Sequence, residues 1–175
     1  FDHGGHCLAE AFEASELLKP APGAVEEDPE RQLASVLRTI RRCLEAAGPS
    51  TEAVAALAID GQMAGIIGVG ADGKAVTPYD SWLDARCAPY IERMDKEAGE
   101  EVMRKTGGPP SINHGPKILW WMHERPEVFR AVRRFVMPAG YAALRLCGLR
   151  AGEAFIDPSY LHFSGFADNA NRRWD

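Results

Sequence analysis

The sequence predicts an α/β fold whose second half is mostly helical, and three patterns lead to that prediction. Residues 28–48 have the spacing of an amphipathic helix, residues 54–59 form a short apolar run, and residues 66–77 contain two strand-like runs around an Asp-Gly turn. From residue 84 onward the apolar spacing is helical. Strand-like runs beside amphipathic helices are typical of α/β domains.

The first helix has a start and an end that its residues define. Asp28 is an N-cap candidate, Pro29 suits the first helical position, and Glu30 places negative charge at the positive end of the helix. Gly48 and Pro49 are predicted to end it. Between these ends lies one apolar stripe at helical spacing, made of Leu33, Val36, Leu37, Ile40 and Leu44.

Strands are predicted at three places. Residues 7–15 alternate loosely between apolar and polar types, which predicts a strand paired with whatever precedes Phe1. The run 54–59 (VAALAI) is predicted to be a central strand, buried on both faces and parallel to its neighbour. Residues 66–77 are predicted to form a hairpin, because an Asp-Gly pair favours a tight turn.

The later chain is predicted to be helical at 84–105 and 116–146. The expected breaks are at glycines and prolines, namely Gly99, 107–110, Pro126 and Pro138. Trp120 and Trp121 are expected to pack the core of this part, since adjacent aromatic side chains on a helix more often fill a core than bind a ligand.

Composition argues against several classes of partner. The formal charge of −5 and the lack of a dense basic run disfavour nucleic acid and anionic membranes. The four cysteines show no CxxC pairing, which is typical of free thiols in a reducing cytoplasm. No apolar stretch approaches the ~20 residues that cross a bilayer. The chain begins at Phe1 without methionine, so truncation at both ends is expected.

The segment Gly61-Gln62-Met63-Ala64-Gly65 is the first candidate site, because it follows a predicted strand. Ligands of α/β sheets bind at the carboxyl ends of strands. Glycine lets backbone approach a ligand, and the Gln62 amide can both donate to and accept from a hydroxyl group. The alternative is a glycine-flanked turn that binds nothing.

The segment Ser81-Trp82-Leu83-Asp84-Ala85-Arg86 is the second candidate site. A tryptophan face stacks on the apolar face of a sugar, an ionised Asp84 accepts hydrogen bonds from neighbouring hydroxyls, and Arg86 can fix that carboxylate. The alternative is a helix start in which Asp84 is a cap and Trp82 belongs to the core.

These segments occur in an order and spacing that resembles the FGGY carbohydrate kinases, the family of xylulokinase and glycerol kinase. The resemblance covers nearly the whole chain. Its pieces are Glu26-Glu27-Asp28-Pro29, Gly61-Gln62-Met63, the hairpin, Trp82-Leu83-Asp84-Ala85-Arg86, Thr106-Gly107, Lys117-Ile118-Leu119-Trp120-Trp121, Arg125-Pro126-Glu127 and Trp174. Each piece alone is weak, but their common register is hard to obtain by chance.

The resemblance implies a ribonuclease H-like, actin-like ATPase fold with a mostly helical insert, in which two such domains close on a sugar. Residues 1–175 would be part of the amino-terminal, sugar-binding domain. The implied reaction transfers the γ-phosphoryl group of ATP, with magnesium, to a hydroxyl of a ketose or related sugar or polyol. The carboxy-terminal ATP-binding domain and the base aspartate would lie outside the chain, so the chain alone is expected to be inactive and to carry no catalytic residue.

The resemblance also suggests substrate-binding residues. Gln62, Met63, Trp82, Asp84 and Arg86 would bind the substrate, together with Asn113 and His114, which fall where the glycerol kinase branch places a substrate contact. Xylulokinases commonly read GQMHG where this chain has Ala64 in place of the histidine. D-xylulose is therefore not expected to be the best substrate.

Alternatives to a kinase remain open in the sequence. One is a non-catalytic sugar-binding module on the same fold, and another is a metal hydrolase built on Asp60, Asp84 and Asp157. The turn His3-Gly4-Gly5-His6-Cys7 offers metal-ligand residue types, but it is interpreted as incidental, and no metal site is predicted. A homodimer is also left open.

Overall fold

A computed structural model describes residues 1–48 and 51–175 of the chain. Its helices are α1 (Pro29–Ala47), α2 (Ala88–Thr106), α3 (His114–Glu124), α4 (Pro126–Phe129) and α5 (Pro138–Leu146). Its strands are β1 (Glu26–Glu27), β2 (Gly65–Val69), β3 (Ala75–Ser81), β4 (Arg134–Val136), β5 (Ala167–Asp168) and β6 (Arg173–Trp174). Short 3₁₀ segments lie at Thr51–Ala53, Ala151–Glu153 and Pro158–Phe163.

The main sheet is antiparallel, with the strand order β1-β3-β2-β4. Ile67 on the inner strand β2 lies opposite Tyr79 of β3 on one side and Val136 of β4 on the other. The register between β2 and β3 shifts between Ile67 and Val69. Strands β5 and β6 form a separate two-stranded ladder.

The sheet separates two apolar clusters, because successive strand residues point to opposite faces. Ile67 and Tyr79 belong to one cluster, which also contains Val69, Val136, Tyr141 and Ala151. Ile66 belongs to the other, with Cys87, Trp120 and Trp121. The prediction that the two tryptophans pack the core is confirmed, and their rings meet edge to face with centroids 5.0 Å apart.

Helix α1 confirms its predicted boundaries. The Asp28 carboxylate accepts hydrogen bonds from the backbone N–H groups of Glu30 and Arg31, as an N-cap does. Gly48 ends the helix in the left-handed conformation at φ 72°, and its N–H donates to the Leu44 carbonyl. Pro49, the second predicted stop residue, lies outside the described residues.

The strands predicted at 7–15 and 54–59 are wrong in this structure. Both segments form no strand ladder, and Leu57 is 58% exposed instead of buried on both faces. Apolar composition does not make a strand unless another backbone lies alongside to take up its N–H and C=O groups. Residues 7–15 contact α1 instead, through a Glu13–Arg38 ion pair and through the Phe12 carbonyl, which accepts from Arg42 at 3.2 Å.

The helical second half is confirmed with two corrections. Helix α2 continues through Gly99, where a break was predicted, since a single glycine in a 19-residue helix costs only about 1 kcal/mol. Strand β4 interrupts the stretch predicted as helix, because its backbone pairs with β2. The predicted breaks at Pro126 and Pro138 are confirmed, and each proline begins a helix. In the part of the chain that the structure describes, every helix is too short or too polar to cross a membrane.

The predicted hairpin is confirmed, and its turn depends on a glycine. Gly73 has φ +80°, and its N–H donates to the Gly70 carbonyl at 2.9 Å. A Cβ atom on Gly73 would lie 2.6 Å from the Leu149 carbonyl oxygen and 2.9 Å from a methyl group of Leu144. The turn therefore needs glycine for its backbone angle and also for the space it occupies.

We expect Gly73→Ala to lower the free energy of unfolding by about 2–4 kcal/mol, the sum of left-handed strain and overpacking. Gly107→Ala is the matched control, because Gly107 has φ +85° but a Cβ atom there would meet no heavy atom within 4 Å. That control should lose only about 1–2 kcal/mol. Urea unfolding of both variants measures the difference, and equal losses would show that the close contact with Leu149 does not matter.

Candidate functional site

Three of the predicted site residues line one hollow at the surface. Gln62, Met63 and Trp82 form it together with Gly61 and Ala64, and its volume is about 330 Å³. We call it the Trp82 pocket. Trp82 is 53% exposed and Met63 is 47% exposed, so the alternative that Trp82 belongs to the core is wrong. A half-exposed aromatic face beside a flexible thioether is a surface suited to stacking an apolar ligand face.

Tyr79 holds one wall of the pocket from below. Its hydroxyl lies 2.7 Å from Oε1 of Gln62 and 2.8 Å from the Ala64 carbonyl oxygen. The hydroxyl has one proton, so it donates to one of these oxygens at a time. Burial, with Glu27 nearby, raises the pKa of Tyr79 above its ordinary value, and the hydroxyl therefore keeps its proton at neutral pH.

Gly65 explains why the segment can approach Tyr79 so closely. It has φ +91°, and a Cβ atom there would lie 2.5 Å from the Tyr79 ring and 2.6 Å from the Asp80 carbonyl oxygen. The second glycine of the Gly61–Gly65 segment is thus required by the backbone angle and by the ring beneath it. This role is independent of any ligand.

His114 lies behind the pocket wall instead of in the pocket. It is 3% exposed, and its Nε2 atom is 2.8 Å from the Met63 carbonyl oxygen. A carbonyl oxygen only accepts hydrogen bonds, so Nε2 must carry the proton. The ring also packs against Phe163, with centroids 6.0 Å apart. The structure places His114 beside Met63, but not at the surface where a substrate would touch it.

The environment of His114 keeps its ring neutral. Burial lowers the pKa of His114 to about 4, and the neighbouring His162 and Lys117 side chains act in the same direction. The hydrogen bond to Met63 opposes this shift. The neighbouring Asn113 is half-buried, contacts Ser111 through its side-chain amide and does not line the Trp82 pocket.

Asp84 and Arg86 lie in a buried charge network. Asp84 is 1% exposed, and its carboxylate accepts from the Val25 backbone N–H at 2.8 Å and from the backbone N–H and Nε of Arg86. The Arg86 guanidinium also lies 2.7 Å from Glu26 and 4.3 Å above the ring of Trp120. The Glu26 contact is an ion pair without the alignment of a hydrogen bond. The structure thus directs these two side chains to protein partners and away from the pocket.

Lys117 completes the network. It is fully buried, and its ammonium group donates to Oδ1 of Asp80 at 3.1 Å and to the backbone carbonyl of Asp84 at 2.9 Å. Trp121 donates to the other oxygen of Asp80 at 3.2 Å. Three carboxylates, including Glu26, share two cations, so one negative charge is in excess. Burial raises the pKa of Asp80 to about 6, although Lys117 favours its charged form.

Sequence reasoning missed Tyr79, Asp80 and Lys117. Lys117 carried a usable signal, because it is the only charged residue in the apolar helical run 116–121. A lone lysine among buried apolar positions implies a buried partner of opposite charge. Tyr79 carried no signal, since an aromatic residue in a strand is ordinary.

The structure gives the metal-hydrolase alternative no support. Among residues 1–48 and 51–175, no group of three or more His, Cys, Asp or Glu side chains is placed to hold a metal ion. Asp84 is buried in the charge network, and Asp157 caps a surface turn by accepting from Ser159. The three aspartates of that hypothesis therefore do not form a centre.

Comparison with solved structures defines the class of fold. A xylulose kinase from Rhodospirillum rubrum superposes with a TM-score of 0.83 at 22% identity over 92% of this chain and 33% of that one. A second sugar kinase, from Brucella ovis, gives a TM-score of 0.83 at 23% identity over 92% of this chain and 32% of that one. The chain has the actin-like ATPase fold of these kinases, which confirms the predicted fold class.

Sequence comparison then identifies the family. The profile described as "FGGY family of carbohydrate kinases, N-terminal domain" matches residues 1–175, and the chain belongs to that family. It is 29% identical to the xylulose kinase of Escherichia coli K12 over 97% of this chain and 34% of that protein. It is 27% identical to the autoinducer-2 kinase of Salmonella typhimurium over 87% of this chain and 29% of that protein. The chain thus spans about a third of the length of these relatives.

We expect Asp84→Asn to lower the free energy of unfolding by about 3 kcal/mol, because the buried N–H groups of Val25 and Arg86 lose a charged hydrogen-bond acceptor. Asp95→Asn, at an exposed position of α2, is the matched control and should change stability by less than about 0.5 kcal/mol. Urea unfolding measures both. If Asp84→Asn instead left stability unchanged and raised only the KM for a sugar, Asp84 would be a substrate-binding residue after all.

We expect His114 to titrate near pH 4 in the folded protein. An unfolded histidine has a pKa of about 6.5, so between these values the unfolded state binds a proton that the folded state does not. Stability is therefore full above about pH 6.5 and falls as the pH drops toward 4, by up to ~1.4 kcal/mol per pH unit. NMR titration of the imidazole signals measures the pKa, and the signal missing in His114→Gln assigns it. A pKa near 6.5 would show that the ring is open to water.

Proposed function

We propose that the full-length protein carrying this chain transfers the γ-phosphoryl group of ATP to a hydroxyl of a ketose or related sugar or polyol. The observation that carries this proposal is the Trp82 pocket, a hollow with a half-exposed tryptophan on an FGGY amino-terminal domain. The named relatives, a xylulose kinase and an autoinducer-2 kinase, support the same reaction class.

In this proposal the pocket binds one face of the substrate. Trp82 stacks on the apolar C–H face of the sugar, and Met63 adapts to the remaining contour. The Gln62 amide is the polar group of the pocket, and its Oε1 atom lies 2.7 Å from the Tyr79 hydroxyl. Phosphoryl transfer depends mainly on positioning and on charge neutralisation. The role proposed for this domain is therefore to orient the acceptor hydroxyl of the sugar.

We further propose that ATP, magnesium and the base aspartate belong to the part of the full-length protein that this chain does not cover. The chain corresponds to 29–34% of its curated relatives, which leaves most of a kinase outside it. A cytoplasmic location fits the free thiols of Cys7, Cys43, Cys87 and Cys147. The expectations of a homodimer and of no nucleic-acid partner stay predictions.

We expect Trp82→Ala in the full-length protein to lower kcat/KM for the sugar by about 10- to 100-fold, because the stacking surface is lost. The measurement is sugar-dependent ADP release with ATP and a panel of D-xylulose, other ketoses, gluconate and glycerol. Trp174→Ala is the matched control, since Trp174 is 59% exposed on β6 and does not line the pocket.

Two outcomes would contradict the proposal that the full-length protein is a kinase that binds its substrate in the Trp82 pocket. If the wild-type protein binds a sugar in calorimetry but releases no ADP, the protein is a sugar-binding module. If Trp82→Ala and Trp174→Ala behave alike, the substrate does not use the Trp82 pocket.

A further inference from the structure

The backbone of residues 61–64 needs contacts from outside its own segment. It lies between an extended stretch and the first ladder residue of β2, Gly65, so strand pairing does not fix it. The Gly61 N–H is satisfied locally by the Asp60 carboxylate at 2.7 Å. The carbonyl groups of Met63 and Ala64 are instead held by side chains from other elements.

Two buried side chains hold consecutive carbonyl groups. His114 of α3 donates to Met63, and Tyr79 of β3 lies 2.8 Å from Ala64. Both are almost fully buried, at 3% and 0% exposure. The Met63 carbonyl belongs to the peptide plane that follows the Met63 Cα atom, and the Ala64 carbonyl belongs to the next plane, so His114 fixes the plane on the carboxyl side of Met63 and the two contacts together fix both planes beside Ala64.

The helix that carries His114 is itself anchored. Lys117 lies one turn after His114 on α3 and is bound to Asp80 and to the Asp84 carbonyl. Those two residues flank Trp82 in the chain by two positions on each side. The same buried ammonium group therefore connects the His114 side of the pocket with the Trp82 side.

We propose that His114 is a positioning residue that acts through the Met63 carbonyl: by fixing the peptide that follows Met63 it holds the Met63 side chain in the Trp82 pocket for sugar binding, and Tyr79 fixes the next peptide. The inference rests on the proposed function, since it assigns a role within that same pocket. His114 does not touch the substrate in this arrangement. Its neutral Nε2–H is the group that matters, so a side chain that keeps a donor there preserves the function.

The test uses three variants at position 114 and its helix in the full-length protein. His114→Leu removes the donor and should raise the KM for the sugar about tenfold, the effect of one hydrogen bond, while the KM for ATP stays the same. His114→Gln keeps an N–H donor and should recover most of the sugar KM. His123→Leu replaces an exposed histidine of the same helix α3 and should change neither KM.

A merely structural role gives a different pattern. Loss of folded protein lowers the maximal rate but leaves the KM for the sugar unchanged, so an unchanged sugar KM in His114→Leu overturns the proposal. If His114→Leu does not fold, Tyr79→Phe, which removes one hydroxyl group, tests the second hydrogen bond in the same way. An unchanged sugar KM in Tyr79→Phe then overturns the proposal.

A double-mutant cycle with Met63→Ala tests whether His114 affects sugar binding through Met63. If His114 acts through the Met63 side chain, the effect of His114→Leu on sugar affinity should largely vanish when residue 63 is alanine. Additive effects would overturn the proposal. Calorimetry of sugar binding distinguishes failure of the proposed function from failure of the role of His114. A wild-type protein that binds no sugar refutes the proposed function. If the wild type and the His114→Leu variant bind sugar equally, only the role of His114 is refuted.

Discussion

The buried ammonium group of Lys117 is the interaction on which the site depends. It joins α3 to both ends of the segment around Trp82, by a 3.1 Å contact to Asp80 and a 2.9 Å contact to the Asp84 carbonyl. A charge in this position is costly to desolvate, and only nearby charges and hydrogen bonds offset the cost. The charge network supplies them, and burial, with Asp84 nearby, raises the pKa of Asp80 although Lys117 opposes the shift. Removing Lys117 or Arg86 leaves carboxylates buried without a counter-charge, so the network depends on both cations.

The side chains that stabilise the Trp82 pocket are different from those that are proposed to contact the ligand. The charged groups sit in the protein interior, and the surface that faces the Trp82 pocket is mostly apolar, with Trp82 and Met63 half-exposed. An aromatic face binds well only when its orientation is fixed, because a mobile side chain loses rotamer freedom on binding. The polar contacts beneath the surface constrain the backbone on both sides of the pocket, at Met63 and Ala64 and at Asp80 and Asp84.

The features that were predicted correctly depend on residues close together in the sequence. The cap of α1, the Asp-Gly hairpin and the stop at Gly107 each follow from a few neighbouring residues, and the structure confirms them. The strands at 7–15 and 54–59 failed because a strand depends on a partner that its own sequence does not specify. The contacts that fix the pocket join residues far apart in the chain, such as Met63 with His114, 51 positions away. No pattern within a window of ten or twenty residues reveals such a contact.

Of the second candidate segment, Trp82 lines the pocket whereas Asp84 and Arg86 are directed to protein partners. The types of these residues did not predict that difference. A carboxylate with a guanidinium is as good a structural pair as a sugar-binding pair, and the sequence alone does not distinguish them. Burial does: a carboxylate that already accepts from Val25 and from two N–H groups of Arg86 has little capacity left for a hydroxyl. In the proposed function, substrate discrimination by the Trp82 pocket therefore depends more on shape than on charge. Ala64 has a methyl group where xylulokinases commonly have a histidine, so the pocket offers more space and no hydrogen-bond donor at that position. On this proposal, the substrate that fits best fills that space without requiring a hydrogen bond there.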